Sequence, residues 1–353
     1  RYIAVTGVQT CALPISVYRG PIDHIAVNPA ALCDLTERRA PSRRFVDNPR
    51  YFAEGGQAGI ETKRGCTNAC TYCVEPFAKG NRIRLRSPES VADEFADLLD
   101  QGVDVVHLCD SEFNLPPGHA HAVCNALVAR GLEKTVCWYA YVCPKPFDRA
   151  LAEAMARAGC VGVNFGVDHA DPDMLARLGR RYGPEDIRST AQACKDAGLV
   201  VMFDMLFGAP GETRMSIARA IDLVGELPVD RVGLSCGVRV YPHTPLAAQV
   251  RAQGPIETNR NLHGATEDNP DFLRPIFYVD DGIGGDIHQV VGGMVRGDAR
   301  FLHADPNERD GNYNYNDNSV LARAIRNGAR GAYWDILRRI DHHMLILPGV
   351  IVL

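Results

Sequence analysis

A strand–loop–helix pattern that repeats six times constrains this chain more than any other feature of its sequence. Short, almost continuous apolar runs alternate with longer stretches of helical periodicity. Such runs are typical of strands that are buried on both faces. The predicted strands are residues 58–62, 103–109, 136–142, 160–167, 199–207 and 231–240. The predicted helices between them are residues 88–101, 120–130, 148–158, 184–197 and 213–227.

Alternating strands and helices predict an α/β fold with a parallel sheet and right-handed crossovers. Six repeats are too few to close an eight-stranded barrel. We therefore expect a partial (β/α)6 barrel that is open on one side, followed by a small, mostly helical C-terminal extension. Ligands of such sheets bind at the carboxyl ends of the strands, so polar residues at those ends mark candidate site positions.

The first predicted strand leads into three closely spaced cysteines, Cys66, Cys70 and Cys73, in a C-x3-C-x2-C pattern. Iron–sulfur clusters usually take four cysteine ligands, and the next cysteine, Cys109, is too far along the chain to belong to this loop. A cluster held here keeps one iron without a protein ligand, and an open position is typical of catalytic metal sites. A zinc site completed by a distant ligand, or three unrelated buried cysteines, are the alternatives. No second C-x2-C pair occurs in the chain to complete a zinc site.

With Tyr72 just before the last cysteine, the loop resembles the cluster loop of radical S-adenosylmethionine (SAM) enzymes. The resemblance implies that Cys66, Cys70 and Cys73 hold a [4Fe–4S] cluster and that Tyr72 lies at the cofactor. It also implies that the open iron binds the amino and carboxylate groups of SAM. In that family, reduction of the cluster cleaves SAM to a 5′-deoxyadenosyl radical, and an external donor such as a flavodoxin or ferredoxin supplies the electron.

Residues at the ends of the second and fourth predicted strands resemble SAM-contacting positions of the same family. Ser111 and Glu112 stand where the family has a Gly-Gly-Glu-like motif for the SAM amino group, and the assignment is by position only because the glycines are absent. Asp168 is at the position whose carboxylate reaches the ribose hydroxyls. Arg180 resembles a basic position that pairs with the SAM carboxylate. A solvated loop for Glu112 and a surface salt bridge for Arg180 are the alternatives.

The fifth and sixth predicted strands also end in motifs of that family. Gly208-Ala-Pro-Gly-Glu-Thr213 resembles its Gly-x-Pro-Gly-Glu-Thr signature, which implies that Gly208, Pro210 and Gly211 lie against SAM. Tyr241-Pro-His-Thr-Pro-Leu246 resembles its Tyr-Pro-Gly-Thr-Pro-Leu ending, with His in place of Gly. The motifs occur in the family's order, and the resemblance covers about residues 56–255.

The rest of the chain is divided by composition. Residues 5–15 resemble the translation of a sequencing-library adaptor, so we interpret residues 1–16 as an artefact. The expected units are then residues 17–55, the remnant of an N-terminal domain with a linker; residues 56–255, the radical SAM core; and residues 256–353, the C-terminal extension. Within the extension, an Asn-rich run at 312–318 favours turns and a helix cap before a helical stretch at 320–339. The alternative is a lid in which Tyr313 and Tyr315 line a substrate.

The positions of the cysteines disfavour some classes of radical SAM enzyme. No cysteine follows Cys236, which disfavours members with C-terminal auxiliary clusters, and only Cys33 and the doubtful Cys11 precede the triad, which disfavours methylthiotransferases. The layout resembles the cobalamin-binding branch, and more narrowly a subgroup associated with ladderane-type lipids. This implies cobalamin-assisted methylation, or a related change at an unactivated carbon, of a small-molecule or lipid-like substrate. A cobalamin-free oxidoreductase or rearrangement enzyme and a non-catalytic metal-binding protein are the alternatives.

Bulk composition restricts the partners. A net charge of −5 gives no electrostatic reason to expect nucleic-acid binding. No apolar run approaches the roughly 20 residues that cross a bilayer, so no integral membrane segment is expected. The twelve cysteines are scattered without a disulfide framework, which favours reduced thiols and a cytoplasmic location.

Overall fold

The computed structural model of the chain describes residues 17–19, 25–27, 34–36, 40–295, 297–303, 305, 313 and 317–342. The adaptor-like segment 1–16 and Tyr315 lie outside these ranges. Seven parallel strands form the main sheet, and they are adjacent in chain order. They are β1 (Ala58–Ile60), β2 (Val105–Leu108), β3 (Cys137–Val142), β4 (Cys160–Asp168), β5 (Val200–Phe207), β6 (Arg231–Cys236) and β7 (Phe301–His303).

The α/β partial barrel expected from the sequence is confirmed, with one strand more than predicted. All six predicted strands are present, and β7 adds to the edge of β6 in parallel register. In the described part of the chain β1 and β7 do not pair, so the sheet is open. The sheet thus continues past residue 255 into the predicted extension. The three residues of β7 are too few to show a strand pattern in the sequence.

Helices follow the core strands as predicted, within a few residues at each end. Ser87 caps the helix that begins at Pro88 by accepting a hydrogen bond from the backbone N–H of Ser90. Four glycines that each follow a helix all have positive φ, and they are Gly102, Gly131, Gly159 and Gly198. The helices are α1 (Asn48–Ala53), α2 (Glu75–Ala78), α3 (Pro88–Asp100), α4 (Pro117–Ala129), α5 (Arg149–Arg157), α6 (Pro172–Arg177), α7 (Pro184–Ala197), α8 (Arg214–Gly225), α9 (Pro245–Ala252), α10 (Ile287–Val295), α11 (Ser319–Arg326) and α12 (Tyr333–Asp341). None of the helices in the described ranges is long and apolar enough to span a membrane.

Small antiparallel ladders flank the main sheet. They are Val17–Arg19 with Ile25–Val27, Lys63–Arg64 with Arg84–Leu85, and a three-stranded ladder of Val238–Arg239, Ile276–Tyr278 and Leu262–Gly264. Short 3₁₀ turns occur at Leu132–Lys134, Ile256–Thr258 and Asp281–Ile283. The ladder that contains Lys63–Arg64 lies directly before the cysteine loop and therefore fixes the position at which the loop begins.

Side chains of the sheet alternate between a helix-covered face and the barrel interior. In β5, Phe203 and Phe207 are fully buried in the main core, whereas Met202 packs on the opposite face with Tyr139 and Trp334. Trp334 belongs to α12, so the C-terminal extension covers the barrel interior. The barrel interior is therefore lined by the sheet and by the C-terminal extension.

The prediction of one helical stretch at 320–339 is wrong in one respect, because the segment forms two helices. Gly328 and Gly331 separate α11 from α12 and have φ values of 97° and 129°, a region that disfavours side-chain-bearing residues. The predicted cap is confirmed, since Asn318 accepts a hydrogen bond from the backbone N–H of Leu321 at 2.8 Å.

A candidate cofactor site at the carboxyl edge of the sheet

The three cysteines of the predicted cluster loop lie between β1 and α2 as free thiols. Cys66 and Cys70 are buried and Cys73 is half-buried. Burial raises the pKa of all three thiols, that of Cys70 to about 12, so metal binding here must release protons. Within the described ranges, one set of three His, Cys or carboxylate ligand atoms lies within 4.8 Å of one another, and it is not this triad. Thiolates on one zinc lie roughly 3.8 Å apart, so the wider spacing fits a polynuclear cluster better.

Backbone hydrogen bonds fix the cysteine loop to two distant elements. The backbone N–H of Thr71 donates to the carbonyl of Leu178 at 3.0 Å, just after α6, and the backbone N–H of Leu246 in α9 donates to the Thr71 carbonyl at 2.9 Å. At its start the loop is held by the Cys66 N–H, which donates to the carbonyl of Gly80 at 3.1 Å. These three hydrogen bonds hold the loop through its backbone.

Gly179, next to Leu178, packs closely against the backbone of the cysteine loop. Its φ is +77°, and a Cβ at this position would overlap the backbone carbonyl of Ala69. We expect Gly179→Ala to lower the iron retained per chain after reconstitution several-fold and to destabilise the fold by about 2 to 4 kcal/mol, from dihedral strain and overpacking together. Iron analysis and urea unfolding measure the two effects.

Gly198→Ala is the matched control for that substitution. Gly198 has the same left-handed backbone, with a φ of +75°, but a Cβ there meets no atom within 4 Å. It carries only the dihedral cost of about 1 to 2 kcal/mol and should leave the iron content unchanged. Equal iron loss in both variants would show that the Ala69 contact is irrelevant.

Four residues predicted to contact SAM form one buried polar network. The Tyr72 hydroxyl donates to Asp168 Oδ2 at 2.7 Å, and Arg180 Nη2 donates to the Tyr72 oxygen at 3.0 Å. Arg180 also donates through Nε to Asp168, and its Nη1 lies 3.8 Å from Glu112 Oε1. The network joins the cysteine loop to the ends of β2 and β4. The surface salt bridge considered for Arg180 is excluded, because its side chain is only 5% exposed.

The charges of this network do not balance. Two carboxylates, Glu112 and Asp168, face one guanidinium. Burial raises the pKa of Glu112 to about 7, with Arg180 opposing the rise. Lys63 also opposes the rise, and a further positive charge beside Glu112, such as an ammonium group, would favour its carboxylate form.

Ser111 lies apart from that network. Its hydroxyl donates to Glu75 Oε2 at 2.6 Å, at the first turn of α2. The neighbouring Asp110 accepts hydrogen bonds from the backbone N–H and hydroxyl of Thr62, which joins the ends of β1 and β2. Both side chains have local structural partners here, and a SAM contact by Ser111 stays a prediction.

The Gly208–Gly211 loop faces the cysteine loop across a cavity of about 230 Å³. Tyr72 and Pro210 line opposite sides, and Leu246 supplies an apolar wall. The segment after Tyr278 holds the glycine loop, because the Asp280 N–H donates to the Gly208 carbonyl and Asp280 Oδ2 accepts from the Gly211 N–H at 2.7 Å. A partly apolar cavity beside a polar, negatively charged network suits a ligand such as SAM, which carries an adenine, an ammonium and a carboxylate.

Asp204, in the middle of β5, was not recognised in the sequence as a site residue. It is half-buried inside the barrel, where the Tyr313 hydroxyl donates to its Oδ1 at 3.3 Å. Burial raises its pKa to about 7. The amide of Asn164 lies close enough to interact with Asp204 but forms no hydrogen bond of ordinary geometry. One acidic residue within an apolar strand was the signal available, since a lone buried carboxyl group is costly.

A second cavity, of about 70 Å³, opens beside these polar groups inside the barrel. Aromatic rings dominate its lining, with Tyr139 stacked on His107 and meeting the edge of Trp334. Tyr313 is part of the wall, in agreement with the alternative interpretation of the Asn-rich run. The cavity therefore offers aromatic faces and a few hydrogen-bonding groups in one place.

Comparisons with known proteins agree with this geometry. The sequence profile described as the Radical SAM superfamily matches residues 60–224. Over 257 residues the chain is 37% identical to a tryptophan 2-C-methyltransferase from Streptomyces laurentii, covering 69% of this chain and 43% of that protein. The chain thus spans less than half of the length of this curated relative.

Two solved structures of one protein resemble the fold. They are of the radical SAM methyltransferase TsrM from Kitasatospora setae, one with tryptophan and a SAM analogue bound and one with cobalamin and a [4Fe–4S] cluster bound. The first has 30% sequence identity and a TM-score of 0.78, with 88% of this chain and 66% of that chain covered. The second has 28% identity and a TM-score of 0.75, with 88% and 64% covered.

Proposed function

Since the chain belongs to the radical SAM superfamily, we propose that it is a methyltransferase that uses a [4Fe–4S] cluster, SAM and cobalamin. Cys66, Cys70 and Cys73 hold the cluster in this proposal. When bound, the cluster and SAM supply the reductive SAM chemistry of the superfamily, with an electron from a donor such as a flavodoxin or ferredoxin. The observation that carries the proposal is the network that joins the cysteine loop to Glu112 and Asp168 beside the larger cavity.

In this proposal the chain's own residues orient SAM. The excess carboxylate of the network binds the SAM ammonium, and Arg180 is released in part from Asp168 to pair with the SAM carboxylate. The glycine loop approaches the adenine, since Ala209 and Pro210 line the cavity and the positive φ values of Gly208 and Gly211 shape the loop on either side of them. Methyl transfer with cobalamin is supported by the relatives, because TsrM binds cobalamin and SAM-type ligands.

We propose a small aromatic substrate for the barrel cavity. Tyr139, His107 and Trp334 offer ring faces and edges, and the amide of Asn164 in the cavity wall offers a hydrogen bond to a polar group of the substrate. An alkyl chain in this cavity leaves the buried Asn164 amide without a partner, which is costly. The polar interior therefore favours a heteroaromatic compound over a lipid-like one.

Product analysis tests the proposed function. The anaerobically reconstituted chain is supplied with cobalamin, a reductant, methyl-labelled SAM and tryptophan as the aromatic probe. We expect S-adenosylhomocysteine and a labelled C-methylated product. 5′-Deoxyadenosine without methyl transfer would favour the cobalamin-free oxidoreductase or rearrangement enzyme instead, and one zinc with no iron at the triad would favour a non-catalytic metal-binding protein.

The raised pKa of Asp204 predicts that the stability of the chain depends on pH. Its pKa is raised from about 3.8 to about 7, so the folded chain holds a proton that the unfolded chain releases, and stability falls as pH rises between about 4 and 7. Asp204→Asn removes this loss. We expect the variant to gain stability relative to the parent as pH rises from 4 to 8, by up to on the order of 4 kcal/mol, measured by urea unfolding at each pH.

Exposed Asp196 provides the matched control. Asp196→Asn should show a stability difference from the parent that does not vary with pH in this range. Other groups that titrate between pH 4 and 8, such as Glu112, are present in parent and variants and cancel in the difference. An Asp204→Asn difference that is flat with pH would contradict a protonated Asp204.

A further inference from the structure

Three ligand-type side chains converge on the β6–β7 side of the sheet, whereas the cysteine triad follows β1 on the other side. Cys236 is the last residue of β6, His303 is the last residue of β7, and His288 lies in the first turn of α10. Cys236 Sγ lies 3.5 Å from His303 Nε2, and His288 Nδ1 lies 3.3 Å from the same nitrogen. All three ligand atoms are within 4.8 Å of one another.

The fold places these residues on one face. His303 stands in register with Leu234, and Cys236 is two residues further along β6, so its side chain projects to the same side. Leu234 shares an apolar cluster with Ile287 and Val291 of α10. The site therefore lies on the helix-covered face of the sheet, and not in the barrel interior.

The first turn of α10 is fixed by a cap that does not involve the three ligand side chains. Asp286 Oδ1 accepts hydrogen bonds from the backbone N–H groups of His288 and Gln289, at 2.8 and 3.1 Å. This cap sets the first turn and presents the His288 ring to His303, on which it stacks with 5.3 Å between centroids. All three ligand side chains thus project from elements with defined backbone.

Hydrogen bonding alone does not account for the two short contacts at His303 Nε2. An imidazole nitrogen carries either one proton or one lone pair, so it forms one well-directed hydrogen bond, yet both Cys236 and His288 approach it. Zn–N distances of about 2.0 Å and Zn–S distances of about 2.3 Å place neighbouring ligands of a tetrahedral site roughly 3.3 to 3.5 Å apart. The observed contacts have this spacing.

We propose that Cys236, His288 and His303 bind one divalent cation of the zinc class. A cation at their centre receives a lone pair from each of the three ligand atoms at once. Asp305 and Asp286 lie within electrostatic range of Cys236 and add negative charge, which favours a cation. The fourth position goes to one of these carboxylates or to water. Bound there, the cation fastens β7 and α10 to the end of β6, so its role is structural.

Metal analysis of the full-length, cluster-reconstituted chain tests the site. After dialysis against zinc-containing buffer, we expect one zinc per chain in addition to the cluster iron. Cys236→Ser and His288→Ala should weaken zinc binding by more than the about 10- to 100-fold that loss of a supporting residue costs. Cys137→Ser and His121→Gln, in the same protein but outside the set, should bind zinc like the parent.

Cobalt provides a readout that does not depend on activity. The Co²⁺ difference spectrum between the parent and Cys236→Ser cancels the absorbance of the cluster, and a thiolate-to-cobalt charge-transfer band is expected in it. Should Cys236→Ser fail to fold by circular dichroism, His288→Ala, whose side chain is partly exposed on α10, provides the same comparison. No such band, or equal zinc affinity in the parent and both ligand variants, would overturn the proposal.

Discussion

Cys70→Ala is expected to leave the chain without its cluster and to reduce SAM-dependent product formation by at least about 10³-fold, the scale seen when one member of a catalytic unit is removed. The reason is that the loop supplies three thiolates, and each cysteine is a ligand to a different iron in the proposed cluster. Iron and sulfide analysis after anaerobic reconstitution should fall from about four iron atoms per chain to a small residue. Cys66→Ala and Cys73→Ala should behave alike.

Cys109→Ser is the control for the three triad variants. Cys109 follows β2 and is the next cysteine after the triad, and its thiol is exposed. If it were the fourth ligand, its loss would also remove iron and activity. We expect the variant to retain both, because the open iron is the SAM position in the proposed enzyme. Iron loss on Cys109→Ser equal to that of the triad variants would refute the three-cysteine site.

Arg180→Met is expected to destabilise the chain by about 3 to 5 kcal/mol, the cost of leaving a buried carboxylate without its cation. Arg180 is the cation shared by Asp168 and Glu112, and all three side chains are nearly inaccessible. Urea unfolding of the reconstituted chain measures the loss. SAM binding should weaken as well, since the guanidinium that orders the site is gone, and Arg180→Lys should not restore it fully because lysine lacks the bidentate geometry.

Two comparisons distinguish this buried network from an ordinary ion pair. Arg149→Met removes the partner of Glu153 from a pair in which the two side chains are 70% and 42% exposed, and such exposed pairs contribute little to stability. In an Asp168→Asn background, Arg180→Met should cost clearly less than in the parent, because the two residues are coupled. Equal losses of stability for Arg180→Met and Arg149→Met would mean that the buried network contributes no more than an exposed ion pair.

The carboxyl edge of the sheet was predictable because parallel strands all end on one side. The cysteine loop, Glu112 and Asp168 are far apart in sequence, yet each follows an apolar strand, and the structure brings them into one network with Tyr72 and Arg180. What the pattern did not reveal is how these groups pair with one another. Whether Arg180 contacts a carboxylate of the chain or of a ligand depends on distances that no sequence pattern encodes.

Three features escaped prediction for different physical reasons. β7 is defined by its pairing with β6 and not by its own residues, since three positions are too few for a period. Asp204 sits within a run that otherwise predicts a buried strand; alternation places it on the same face as Met202, but its hydrogen bond partner Tyr313 is 109 residues away in the chain. The set of Cys236, His288 and His303 was equally hidden, because it combines two strand ends with a helix from the extension.

The backbone contacts of Thr71 have a consequence for the order of maturation. The carbonyl and N–H that hold the cysteine loop in shape are paired with Leu178 and Leu246, both of which leave the ribosome long after the three cysteines. Chains fold from the N-terminus as they are made, but this loop gains its anchors only when the sixth repeat has been translated and docked. We therefore expect iron delivery to act on a chain in which α9 has already docked, and a truncation before α9 should yield a protein whose cysteines are present but do not bind a cluster.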